Sequence, residues 1–336
     1  LAPQHDGNGA TMTFTNVENV TLNAVNGIDG DGAAEGADML LVLDDTTLLE
    51  GVASDAVRSL TINNNGVATN GTDDILLSDV SNSSLLETLT LNATGSAVTL
   101  GTVAEAEALT SLTINSDGGE VTVGAIGGTN ASTALDAITV TATEDVTLGV
   151  VEANNTAGVS TVTLAAADGD IEGLALTNDA GSIDAVTLSG DGAISATFTT
   201  ELNGTGTAGY TQAITSTNTG SVTLTIDNMA TSGDGSVITL GDATNVITLA
   251  STMDDVITGG TGSDTLILGT VAGSAAEDLG SDTIDLGAGT DTLSFAGRTT
   301  GIVVNIGSTD AYLNDKDGNT ASTSETVAAG TLFDSE

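Results

Sequence analysis

Cysteine is absent from the 336 residues, which removes disulfides and thiolate metal sites from consideration. Basic residues are nearly absent as well. Lysine plus arginine number 3 against 46 acids, for a formal net charge of −43, and Arg58, Arg298 and Lys316 are the only strong cations. Phosphate binding needs basic side chains in number, so nucleic acid is excluded as a partner and an anionic membrane surface is disfavoured. A partner recruited by charge is cationic, and a divalent metal is the first candidate. Tryptophan is missing and aromatics make up 2% of the chain, so Val, Ile, Leu and Ala must build the core, with threonine around it. The single histidine, His5, lies at the terminus, reads as solvated, and leaves no serine or cysteine triad. No apolar run approaches membrane-spanning length, so no direct membrane insertion is expected, and no signal peptide opens the chain. The chain starts at Leu1 and stops at Glu336 within a strand-like pattern, which suggests a segment of a longer protein. A mean hydropathy of +0.21 argues against disorder.

What is present is repetition. The phrase Val17-Glu18-Asn19-Val20-Thr21-Leu22-Asn23 returns as Ser59-Leu60-Thr61-Ile62-Asn63, Thr88-Leu89-Thr90-Leu91-Asn92 and Ser111-Leu112-Thr113-Ile114-Asn115. It returns again at Ala137–Val140, Thr161–Leu164 and Ala185–Leu188, and the central threonines fall at 90, 113, 139, 163 and 187, in steps of 23, 26, 24 and 24. A second strand follows most copies, at Val98–Leu100, Val121–Val123, Val146–Leu148 and Ala193–Ser195. Each alternates apolar residues with threonine or serine, the two-residue period of a strand with one buried face. Asn, Gly, Asp and Ser between strands supply the turns. One coil cannot bury its apolar face alone, so coils must stack. The expected fold is all-β, a right-handed parallel β-helix or solenoid with coils of about 24 residues. An antiparallel sandwich of immunoglobulin type is the competing fold, but such domains carry larger aromatic cores and no constant step. Single helical turns are expected at Val103–Leu109 and Asp55–Arg58, and a longer loop with Tyr210 between Ala196 and Ala213. Strands resume at Leu224–Ile226, Val237–Leu240 and Asn245–Leu249.

The stretch Thr252–Ala296 carries the chemistry. Cut into nines, its fourth place is Asp255, Asp264, Gly273, Asp282 and Asp291. Residues Gly259–Leu266 (GGTGSDTL) match the nonapeptide G-G-x-G-x-D-x-U-x at every fixed place, a cation loop followed by a short strand. Calcium takes six to eight oxygens from carboxylates and carbonyls, and glycine lets a loop turn its carbonyls toward an ion. The expected ligand loops contain Asp255, Gly260, Gly262, Asp264, Gly280, Asp282, Gly289 and Asp291, with Ca2+ as the cofactor. If successive nonapeptides fall on opposite edges of a two-sided coil, every second loop stacks, which pairs Asp264 with Asp282 on one edge and puts Asp255 and Asp291 on the other. Gly273 and Glu277-Asp278 interrupt the array, so fewer ions are expected than in a perfect one. Weaker candidates are Gly36–Leu40, Gly71–Leu76 and Tyr312–Asn319. The coil is expected to shorten from about 24 residues to about 18 residues, two nonapeptides, without a break in the stack. That gives a threonine-rich β-helix over 1–240, a calcium β-roll over 241–297, and the start of a further β segment over 298–336.

On these nonapeptides, and on the Thr-rich, Cys-free "VENVTL" and "LETLTL" coils, the chain resembles the RTX (repeats-in-toxin) family, most closely the RTX surface-layer proteins of Gram-negative bacteria. The resemblance implies type I secretion, folding on meeting calcium, an extracellular or cell-surface location, and a homo-oligomeric lattice or filament. Cell-surface polysaccharide is a further candidate partner. The array here is short and interrupted, and no terminal secretion signal is visible. The leading expectation is a structural, self-assembling, calcium-stabilised protein, not an enzyme; an RTX adhesin or extender region is the alternative. A third reading, a polysaccharide-active enzyme on a β-helix, lacks clustered cations to neutralise a uronate and aromatic platforms for sugars, although a carboxylate dyad remains open.

Overall fold

The computed structural model describes residues 18–24, 41–44, 57–65, 74–81, 85–103, 108–127, 135–153, 159–178, 183–200, 213–228, 234–251, 253–269 and 282–296, and beyond them the strand segments 302–304, 311–313, 325–327 and 332–334. The chain is a parallel β-solenoid, and no helix occurs among the described residues. Each coil gives one strand to each of two sheets. The first sheet runs, in order, through Asn19–Ala24, Ser59–Asn64, Thr88–Thr94, Ser111–Asp117, Ala137–Ala142, Val159–Ala166, Ile183–Gly190, Ala213–Ser216, Asp234–Thr239, Asp254–Thr258 and Thr283–Asp285. The second runs through Leu41–Asp44, Ile75–Ser81, Val98–Leu100, Val121–Val123, Val146–Leu148, Ile171–Asn178, Ile194–Thr200, Val222–Asn228, Asn245–Ser251, Thr265–Leu268 and Thr292–Ser294, with Val150–Ala153 added beside Ile171–Asn178. All pairings in both sheets are parallel, which excludes the antiparallel sandwich.

The two-residue alternation decides which side faces in. In Ser111–Asp117, Leu112 and Ile114 are fully buried while Thr113 and Asn115 are only partly so; Val121 and Val123 close the same coil from the second sheet. The core is therefore a single thin layer of aliphatic side chains, and Phe198, 1% exposed, is its largest member. The outward side is a register of threonines. Thr21, Thr61, Thr90, Thr113, Thr139, Thr163, Thr187, Thr215, Thr239 and Thr258 stand in one row along the first sheet, which ends on Asp285. β-branched side chains fit this pleated, half-exposed surface. Beside them Asn23, Asn63, Asn92 and Asn115 form a ladder in which each amide donates to the preceding coil's oxygen at 2.8–2.9 Å.

Thr90, Thr113, Thr139, Thr163 and Thr187 align coil on coil, so the repeat expected from sequence is the repeat of the stack. The next step, to Thr215, is longer, and 201–212 within it lie outside the described residues. Of the turn expected at Val103–Leu109, Val103 bridges to the neighbouring coils, Val103 and Leu109 are both buried, and residues 104–107 lie outside the described residues. Arg58 lies directly before a strand and pairs with Glu87 one coil on, both about half exposed. The stack continues without a break into the acidic stretch, but its coil does not settle at two nonapeptides. Thr239 aligns with Thr258, close to that length, whereas Thr258 aligns with Asp285, a coil of three. After residue 296 the pairing turns antiparallel: Ile302–Val304 pairs with Leu332–Asp334, and Ala311–Leu313 with Glu325–Val327.

Candidate metal centre

The long last coil changes which aspartates meet. Asp264 and Asp282 are not stacked. Thr265 aligns with Thr292 and Val256 with Thr283, so Asp264 sits above Asp291 on one edge and Asp255 above Asp282 on the other. Three nonapeptides, not two, close the last coil, because the unit with Gly273 in place of aspartate falls within the segment 270–281 that joins the second sheet back to the first. Gly280 lies in that segment, outside the described residues.

On the first edge, where the chain passes from the first sheet to the second, three loops stack: Gly241–Asn245, Gly259–Asp264 and Leu286–Asp291. The contacts set a common register of Gly241, Gly260 and Gly287; of Ala243, Gly262 and Gly289; and of Asn245, Asp264 and Asp291. A Cβ at Gly260 would lie 2.2 Å from the Gly241 carbonyl, and one at Gly262 1.9 Å from the Ala243 carbonyl, so glycine is required there by close approach. Gly287 (φ 84°) and Gly289 (φ 137°) need glycine for conformation as well, and each packs on the carbonyl of Gly260 or Gly262. The effect is a column of backbone carbonyls beside a column of carboxylates.

Each carboxylate first serves the backbone. Asp264 Oδ1 accepts the Asn245 N–H at 3.0 Å, and Asp291 Oδ1 accepts the Asp264 N–H at 3.0 Å. The second edge repeats the device: Asp255 Oδ1 accepts from the Ser236 N–H at 2.6 Å, and Asp282 Oδ1 from the Asp255 N–H at 3.0 Å. Each aspartate thus fastens the loop one coil earlier. Upstream the direction is reversed: Asp74, Asp145 and Asp170 accept the N–H of Ala97, Asp170 and Ala193, one coil later. Asp74, in one of the weaker candidates, is therefore a turn aspartate holding the next coil.

The second carboxylate oxygens are the chemical signal. Asp264 is 1% exposed and its Oδ2 has no hydrogen-bond partner; Asp255, also 1% exposed, has the same orphan at Oδ2. Asp282 is buried as well, while Asp291 is exposed. Burial pushes the Asp255 carboxyl up to about 6, helped by neighbouring Asp254 and opposed by the Ser236 N–H and the Ser251 hydroxyl. An unsatisfied buried carboxylate oxygen costs free energy unless a donor or a cation supplies the missing partner. Asp264 Oδ2 and the Leu286 carbonyl both crowd Gly259, where a Cβ would meet them at 2.5 and 2.4 Å. Glycine alone leaves that side of the carboxylate open. Among the described residues no three His, Cys, Asp or Glu side chains converge, so any ion here draws most of its oxygens from carbonyls. That donor set, hard oxygen with a carboxylate from each of two loops, fits calcium.

Of the expected residues, the structure therefore brings together Gly260, Gly262, Asp264, Gly289 and Asp291 on one edge and Asp255 with Asp282 on the other. Residues 36–40, Asp73, 314–319 and His5 lie outside the described residues. Sequence reading missed Asn245 and Asp242. Their loop, Gly241-Asp242-Ala243-Thr244-Asn245, is a worn copy of Gly-x-Gly-x-Asp one coil before the clear one, and sliding the motif back from Asp264 to Asn245 would have exposed it. No helix among the described residues is long and apolar enough to cross a membrane. Comparison with protein-family models, with curated proteins and with solved structures finds no match to this chain.

Proposed function

We propose that the chain is a calcium-stabilised structural protein of the cell exterior that self-assembles, as a subunit of a surface layer or filament. The observation that carries this reading is Asp264, a fully buried carboxylate with one oxygen left over, set against stacked carbonyl-bearing glycine loops. Calcium would be held by the carbonyls of Gly260 and Gly262 and the carboxylates of Asp264 and Asp291, and a second ion by Asp255 and Asp282 on the opposite edge. The ion supplies positive charge and an oxygen cross-link between coils. A net charge of −43 opposes both folding and contacts between copies by self-repulsion. A ligand that binds only the folded form offsets that by mass action. The repetitive walls support a scaffold: the long threonine row from Thr21 to Thr258 offers a uniform face for copies of the same chain or for cell-surface polysaccharide. The resemblance of the nonapeptides to RTX proteins supports secretion and an extracellular, calcium-rich setting.

The test is light scattering with negative-stain microscopy while calcium is titrated upward from chelator. Ordered sheets or filaments that appear with calcium are the expected result. A monomer that folds with calcium and never assembles would replace this reading with an adhesin or extender module. Indifference to calcium in both folding and assembly would overturn the metal centre itself.

A further inference from the structure

We propose that Asn245 is a built-in substitute for the cation, and that its loop, Gly241–Asn245, is a latent third tier of the metal array closed by a side-chain amide. The inference rests on the reading that the loop below it, Gly259–Asp264, takes a cation.

Asn245 is completely buried, and its Nδ2 faces three oxygens: the Ala243 carbonyl at 2.9 Å, the Gly241 carbonyl at 3.3 Å and Asp264 Oδ1 at 2.8 Å. Two of these are the loop's own carbonyls and the third is the carboxylate of the next coil. Three acceptors around a group with only two hydrogens is an oversupply of oxygen, the environment a cation would seek. The same chemistry fixes the amide's orientation, since its oxygen could not face three acceptors. Asn245 Oδ1 is left buried with no partner. One coil on, the same register holds the carbonyls of Gly260 and Gly262 and the carboxylate of Asp291, but the side chain at the position of Asn245 is Asp264. The donor has been exchanged for another acceptor. What the amide nitrogen does at the upper tier, an ionised carboxylate cannot do at the lower one, and a cation can. Asn245 therefore ends the array: it satisfies the carbonyls above Asp264 without metal.

The experiment is Asn245→Asp in the full chain, with calcium stoichiometry and thermal unfolding measured on metal-stripped protein titrated with calcium. The expected result is one more bound calcium per chain than the unsubstituted protein takes up. The gap between unfolding temperatures in calcium and in chelator should widen in step. Asn245→Ala, which carries neither amide nor carboxylate, should be destabilised equally in both conditions and gain no ion. If Asn245→Asp alone does not fold, Ala243→Gly/Asn245→Asp restores the full Gly-x-Gly-x-Asp spacing and is read in the same way. An unchanged stoichiometry, with stability lost alike in calcium and chelator by both Asp and Ala variants, overturns the latent tier and leaves Asn245 an ordinary hydrogen-bonded amide. If the unsubstituted chain binds no calcium, the underlying metal reading has failed instead, and the two failures are told apart by that one control.

Discussion

Asp264→Asn exchanges a carboxylate for an amide at the lower tier, and its effect should change sign with calcium. In the native chain Asp264 Oδ1 takes two donors, the N–H and Nδ2 of Asn245, while Oδ2 has none. In chelator that buried orphan costs about 1–3 kcal/mol, the usual penalty for an unsatisfied buried polar atom. An asparagine keeps an oxygen for Asn245 and can turn its nitrogen toward the carbonyls of its own loop, as Asn245 does. The variant should therefore be more stable than the native chain in chelator, by about 1–3 kcal/mol. With calcium the order reverses. A site filled at about a thousandfold excess over its Kd adds about 4.1 kcal/mol, more than that advantage, and the variant forgoes it. At about 2 °C per kcal/mol for a chain of this size, the calcium-induced rise in Tm should shrink by about 8 °C. Because stability in stacked repeats is close to a sum of neighbour terms, local opening is the sharper readout. Hydrogen exchange at the Asp264 and Thr292 amides, which donate to Asp291 Oδ1 and the Asp264 carbonyl, should report it directly. Equal destabilisation in calcium and chelator would refute the reasoning, since it would mean that Asp264 acts only as a hydrogen-bond acceptor.

Two further perturbations bear on the same stretch. Asp255, with its carboxyl raised to about 6 chiefly by burial, is penalised in its charged form, so in chelator its contribution is fully favourable below about pH 4 and is lost as pH rises through 6, about 3 kcal/mol in all. Denaturant melts in chelator should show Asp255→Asn gaining on the native chain across that window, and parallel pH profiles would remove Asp255 as their cause. Gly262→Ala places a Cβ 1.9 Å from the Ala243 carbonyl and should cost at least about 2 kcal/mol, whereas Gly269→Ala meets only ordinary contacts at 3.6 and 3.7 Å and should be close to neutral, as urea midpoints would show.

Much of the solenoid is legible in the sequence because its rules are local. Threonine at every second place, with Leu89, Leu91, Leu112 and Ile114 between, dictates which side of each strand is buried, and the near-constant step between threonines dictates stacking. The metal stretch is different. Its aspartates and glycines are readable one nonapeptide at a time, but their partners depend on how many nonapeptides close a coil, which no single unit records. Gly273 and Glu277-Asp278 mark the unit that breaks the alternation, and that break turns a coil of two nonapeptides into one of three. Asp264 therefore meets Asp291, not Asp282. Asn245 escaped for the opposite reason: it departs from the motif, and its meaning lies only in the three oxygens that the fold gathers around its amide.

Along the described part of the first edge, the satisfying of buried polar groups is one problem solved in two ways. In the earlier coils the solution is a neutral donor. Asn64 Nδ2 reaches Ser96 Oγ at 3.2 Å, the Ser116 hydroxyl lies 2.6 Å from the Ser96 carbonyl and 3.0 Å from that of Gly119, and Asn218 Nδ2 donates to the Gly192 carbonyl at 2.6 Å. Asn64, Ser96, Ser116 and Asn218 are all buried, as a donor that replaces water must be. In this register the coil before Asn245 carries Val222, so the position first turns polar at Asn245, and from Asp264 onward it belongs to acids. A neutral side chain satisfies its carbonyls under any ionic condition; a carboxylate satisfies them only when a proton or a cation stands between. The same edge thus changes, within the single coil from Asn245 to Asp264, from a wall that holds itself together to one whose cohesion depends on the medium. On the proposed reading, the acids at these C-terminal tiers make the cohesion of that end wait for calcium.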